Sequence, residues 1–220
     1  MSSLSKSLIV GLSLLVAVAW APAIVVADDA TAMAANPGPL TANEVAFHDA
    51  MRTLWEDHIT WTRLFIVDYA AGMPETDATT QRLLQNQVDI GDAIKPYYGE
   101  DAGNKLTELL KQHILTAADV LAAAKAGDTA KVDATSKTWY ANGDEIATFL
   151  STANPDNWPL AETKAMMKSH LDDTLAEVVA HLRGDWAADV AAYDTVHTQI
   201  LQMADMLSAG IFAQFPDTFA

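Results

Sequence analysis

The chain has 220 residues, with 13 Lys and Arg against 29 Asp and Glu, no Cys, and half of its residues apolar. A net charge of −16 argues against binding nucleic-acid phosphates, which needs clustered Lys and Arg. The lack of Cys excludes disulfides, thiolate nucleophiles, zinc fingers and iron–sulfur sites, so stability has to come from a packed core.

Lys6 precedes an uncharged run from Ser7 to Ala27 rich in Leu, Val, Ile and Ala, and Val25-Val26-Ala27 stands before Asp28-Asp29. A positive start, an apolar middle and small residues at the end predict a signal peptide over residues 1–27, cleaved after Ala27. The competing expectation is an uncleaved N-terminal membrane anchor, since about 20 apolar residues can span a bilayer. Pro22 and the V-x-A site favour cleavage, and either way the body is expected in the periplasm or the medium. Residues 28–40, with Pro37-Gly38-Pro39, read as a disordered leader. No later run is long and apolar enough to span, so no membrane span is expected in the mature chain.

Residues 41–220 read as six helices and no strand. Thr41-x-x-Glu44 is a capping box opening a helix that runs to about Ala71, before Gly72. A second is expected from after Asp77 to about Lys95, where Pro96 lacks the N–H that a helix interior uses. The third runs from about Asp101 to Ala126, and the fourth from its cap Asp128 to about Ser151. Pro159 opens the fifth, which ends at Arg183, and Asp185 caps the sixth, which reaches about Gln214 before Pro216. Gly127-Asp128 and Gly184-Asp185 perform one task twice: the glycine ends a helix in the left-handed conformation and the aspartate caps the next. So short a link makes the joined helices antiparallel neighbours.

A histidine stands at one identical interval before each of Gly72, Gly127 and Gly184, roughly four helical turns back: His58, His113 and His170. Leu109-Leu110-Lys111-Gln112-His113 also resembles Met166-Met167-Lys168-Ser169-His170. The expected fold class is therefore all-α: a six-helix bundle, one domain, built from three repeated antiparallel hairpins that each carry a His at the same height. Helical periodicity places His58 in line with Met51, Trp55 and Phe65, His113 with Leu106, Leu110 and Val120, and His170 with Met167 and Thr174. All three imidazoles therefore point inward. With a rise of about 1.5 Å per residue, the return helices bring Asp89 to Asp92, Tyr140 to Asn142 and His197 to Gln199 to the same level.

Two functions are compatible with such a layer. One is a transition-metal site with His58, His113 and His170 as ligands, completed by His197 or Asp194 of the D-x-x-H pair. Asp89, Asp92 and Asn142 would orient the rings by accepting their other N–H. With Met203 or Met206 nearby and no Cys, copper suits this set slightly better than zinc. The other is a non-enzymatic scaffold or binding protein whose histidines form a buried polar network, with a small-molecule or protein partner not specified by the sequence. Hairpins stacked in a row would hold the histidines about 10 Å apart, too far to share an ion. A third reading, an apolar-ligand binder lined by Trp and Met, needs a cavity of at least about 300 Å³. Glu44/His48 and Glu177/His181 read as surface or rim pairs. There is no E-x-x-H, H-E-x-x-H, G-x-S-x-G or phosphate-binding loop, so di-iron, peptidase, esterase and nucleotide-hydrolase chemistries lack their motifs.

Three segments, Leu54-Trp55-Glu56-Asp57-His58-Ile59-Thr60-Trp61-Thr62-Arg63, Thr79 to Gln87 and Asn157-Trp158-Pro159-Leu160, carry a resemblance. From about residue 45 onward the chain resembles a group of uncharacterised exported bacterial helical proteins, which implies an all-helical fold and brings no particular activity. Chains that look like this are sometimes called acetylglutamate kinase or glycosyltransferase. Those names imply α/β folds and phosphate or sugar-nucleotide loops, and neither is present in this sequence.

Overall fold

The computed structural model describes residues 39–220. The expected signal segment and nearly all of the leader lie outside the described residues. The described chain is all-helical: α1 Ala42–Ala71, α2 Thr76–Tyr98, α3 Glu100–Lys125, α4 Thr129–Ala153, α5 Leu160–Leu182, α6 Trp186–Gln214 and the four-residue α7 Pro216–Phe219. None of these helices is long and apolar enough to cross a membrane.

Local signals explain most boundaries. Thr41 and Glu44 form the expected reciprocal cap at the start of α1. Asp128 and Asp185 each accept a backbone N–H, from Lys131 at 3.0 Å and Ala188 at 3.2 Å. Gly72, Gly127 and Gly184 take φ of 68°, 70° and 70°, a conformation that costs other residues about 1–2 kcal/mol. The end of α2 differs from expectation. Pro96 lies inside the helix, which continues to Tyr98 and closes with Gly99 N–H on Lys95 O at 2.8 Å. The start of α2 also differs: Thr76 is already helical, so Asp77 sits in the first turn. Gly99 is the whole link to α3.

Each helix packs on the next, and α6 returns against α1, so the six long helices close into a circle rather than a row. Across its middle α5 also meets α1 and α3. The inward stripes fill the interior with Met51, Trp55, Ile90, Leu110, Ile146, Met167, Ile200 and Met203. The short α7, for which the sequence carries no strong signal, buries Phe219 against Phe47, Tyr97 and Phe212. Phe219 O accepts from Thr41 Oγ1 at 2.8 Å, which ties the C-terminal end to the start of α1.

Helices α2 and α3 approach so closely that a Cβ on Gly91 would stand 2.6 Å from Gly103 O, and one on Gly103 the same distance from Gly91 O. Gly91→Ala should therefore destabilise the protein by about 1–3 kcal/mol through overpacking, although alanine is the better helix former by about 1 kcal/mol. Chemical denaturation reads this directly, and a more stable variant would contradict the crossing.

Candidate functional site

The inward faces of α1, α3 and α5 deliver His58, His113 and His170 to one place. Their side chains are 3–4% exposed, and the imidazole of His170 lies 5.7 Å from that of His58 and 6.2 Å from that of His113, centre to centre. The wide separation expected of a row is absent, because α6 closes on α1 and brings α5 across the middle.

Each imidazole is held from the following helix by a side-chain amide 29 residues later in the chain. His113 Nδ1–H donates to Asn142 Oδ1 at 2.9 Å and His170 Nδ1–H to Gln199 Oε1 at 3.2 Å. Gln87 Nε2–H donates to His58 Nδ1 at 3.2 Å. The amides are fixed in turn. Asn142 and Gln199 donate to Leu109 O and Met166 O, each the carbonyl one helical turn before its histidine. In the first pair Asn86 takes that part, donating to Leu54 O at 2.9 Å, while the two hydrogens of Gln87 Nε2 are shared among His58 Nδ1, Leu83 O and Asn86 Oδ1. Leu83 O and Asn86 Oδ1 set the orientation of the Gln87 amide, since an oxygen in the place of Nε2 would face two other oxygens. His58 is thus the exception. Its Nδ1 accepts and its proton belongs on Nε2, whereas His113 and His170 carry theirs on Nδ1.

The outer nitrogens are not equivalent. Trp139 Nε1–H donates to His113 Nε2 at 3.3 Å, so both nitrogens of His113 are satisfied. His58 and His170 make their side-chain hydrogen bonds through Nδ1, and their Nε2 atoms face away from those amides. Beside His58, Trp55 Nε1 and Gln87 Oε1 are buried without a hydrogen-bonding partner among the described residues. Buried polar atoms of this kind call for an explanation, because each costs about 1–3 kcal/mol. The three imidazoles border a narrow cavity of about 30 Å³, room for one or two water-sized occupants, whose wall is otherwise almost wholly apolar. That volume does not meet the requirement of an apolar-ligand binder.

Burial is the main electrostatic influence. It pushes His113 down to about 3 and His170 down to about 4, and holds His58 well below the usual imidazole range. The neighbouring imidazoles push His58 and His113 further the same way. All three are neutral at pH 7, the form that a metal requires.

The other residues named from sequence fall elsewhere. His197 is on the outer side of α6, with Nε2 3.2 Å from Glu56 Oε1. Asp194 lies in an outer groove with Asp173 and Gln199. Asp89 is beside Gln85 and Arg82, and Asp92 pairs with Lys95 at 2.7 Å. Asn142 alone of the expected supporting residues is at an imidazole, with Gln199 and Gln87 completing the set. His48 pairs with Asp205 at 2.8 Å. Glu177 is buried rather than at a rim, bonded to Arg63 at 2.9 Å, while Arg63 also grips Asp189 and His181 approaches Asp189 at 2.9 Å. Trp55, Trp139 and Trp158 are core residues, and Trp186 is exposed.

Among the described residues no group of three or more His, Asp or Glu side chains is disposed around a common point as a metal-binding set. Comparison with protein-family models, with curated proteins and with solved structures finds no match for the chain.

Proposed function

We propose that this is an exported helical-bundle protein that binds a transition-metal ion at its central histidine layer. The observation that carries this reading is the pair of buried, neutral imidazoles, His58 and His170, whose centres are 5.7 Å apart, whose hydrogen bonds run through Nδ1 and which border a cavity. Metal-binding histidines characteristically give their second nitrogen to a fixed acceptor, the position that Gln199 takes at His170 and Asn142 at His113. Ligation by His58 Nε2 moves its proton to Nδ1, which requires the Gln87 amide to leave its present bonds to Leu83 O and Asn86 Oδ1. His113 is the adjacent third imidazole and joins if Trp139 releases it. His197 and Asp194 are not part of this set. The identical spacing in all three histidine–amide pairs, with the anchoring carbonyl one turn before each histidine, supports descent of the bundle from three copies of one hairpin. Export rests on residues 1–27, and N-terminal sequencing of the secreted chain should begin at Asp28.

The second reading is a scaffold whose histidines form a polar network, favoured by the fully satisfied His113. Elemental analysis separates the two. The mature chain, purified without a His-tag and dialysed after exposure to copper, zinc, iron or nickel, should retain about one equivalent of one of them. His58→Gln and His170→Gln should each abolish retention while leaving the helical circular-dichroism spectrum intact. No retained metal, with both variants merely less stable, would establish the network instead.

A further inference from the structure

The cavity wall carries a second kind of donor. Met51, Met167 and Met203 line it together with His58 and His170, and they are 2%, 5% and 1% exposed. Met167 is three residues before His170, hence on the same face of α5 one turn away. Met203 is one turn beyond Gln199, the residue that holds His170. These two thioethers therefore stand next to the histidine layer, and Met51, two turns before His58, stands further along the cavity. No Asp or Glu lines the cavity.

We infer that the ion is copper(I), held by Nε2 of His58 and His170 with the thioether of Met167 or Met203, an assignment that rests on the metal-binding reading. Every donor in this set is neutral, so the bound ion keeps its full charge inside an apolar interior. The cost of burying charge grows with its square, so a divalent ion pays about four times the desolvation penalty of a monovalent one. Thioethers also select soft ions, copper(I) foremost among those available to a protein without Cys. Two imidazoles and a sulfur satisfy the low coordination number that copper(I) accepts, which leaves His113 free to keep its bond from Trp139. A set of this composition does not depend on three His, Asp or Glu side chains converging.

Competition titrations of the intact mature chain test this, with copper(I) supplied as its bathocuproine complex and zinc(II) and copper(II) titrated in parallel. The chain should withdraw one equivalent of copper(I) and prefer it over both divalent ions. Met167→Leu or Met203→Leu, volume-conserving changes that leave the core intact, should weaken copper(I) binding by at least about tenfold, the scale seen when even a supporting residue of a ligand is lost. Neither should alter the thermal midpoint of the metal-free protein by more than a few degrees, and X-ray absorption of the loaded protein should show a sulfur neighbour. Tighter binding of zinc(II) or copper(II), abolished by His58→Gln but indifferent to both methionine changes, would overturn the copper(I) assignment and leave metal binding standing. Failure to bind any of the three ions would overturn both.

Discussion

As the pH of the metal-free protein is lowered from about 8, its stability holds to about pH 6.5 and then falls with a slope approaching about 4 kcal/mol per pH unit, that of three protons bound on unfolding. His58, His113 and His170 are neutral in the folded state, with His113 down to about 3 and His170 to about 4, because burial disfavours the imidazolium. In the unfolded chain all three titrate near 6.5. Between these limits only the unfolded state takes up protons, so the stability present above about pH 6.5 is lost as the pH falls toward the folded-state values. At pH 5 the three together remove about 6 kcal/mol, comparable with the whole stability of many domains. Asp189, held below the usual carboxylate range chiefly by Arg63, adds to the loss at lower pH. Glu177, raised by burial, opposes it. Denaturant titrations at successive pH values measure the slope. A stability unchanged between about pH 7 and 4.5 would contradict the buried neutral layer.

Arg63→Met should cost about 3–5 kcal/mol at neutral pH, the second large effect, because it leaves Glu177 buried without its cation and Asp189 with His181 alone as its partner. From α1, Arg63 reaches Glu177 Oε1 on α5 at 2.9 Å and both oxygens of Asp189 on α6, the second at 2.7 Å. The two carboxylate side chains are each 2% exposed, so water does not replace the lost bonds. Arg63→Met combined with Glu177→Gln removes one of the stranded charges and should recover a substantial part of the loss. Additive costs in this double-variant cycle, or an Arg63→Met loss below about 1 kcal/mol, would show that the cluster does not act as one unit.

The helices and the histidine layer are legible in the sequence because both are written in local signals. Caps and glycines mark the turns, and His58, His113 and His170 stand at one distance from them on inward stripes. The supporting residues are less so, and the reason is geometric. Height on the return helix, counted from the expected caps, is shifted by the longer link after Gly72 and points to Asp89 and Asp92 rather than Gln87. Counted from the glycines themselves, Gln87, Asn142 and Gln199 all stand at one common distance beyond, a signal present in the sequence. His197 is two residues before Gln199, and a helix rotates by about 200° over that interval, which turns it outward. The Arg63 cluster and the closure of α6 on α1 join residues far apart in the chain, and no local pattern encodes such pairings. Pro96 shows the reverse case, in which a strong local signal is overruled and the helix runs on for two residues to Tyr98.

An ion held between His58 and His170 would be visible to diffraction. The most direct measurement is an anomalous difference map from crystals of the metal-loaded mature chain, collected on both sides of the absorption edge of the retained metal. One dominant peak is expected in the central cavity, within bonding distance of Nε2 of both histidines. Peaks confined to surface pairs such as His48 with Asp205, and none in the cavity, would contradict it.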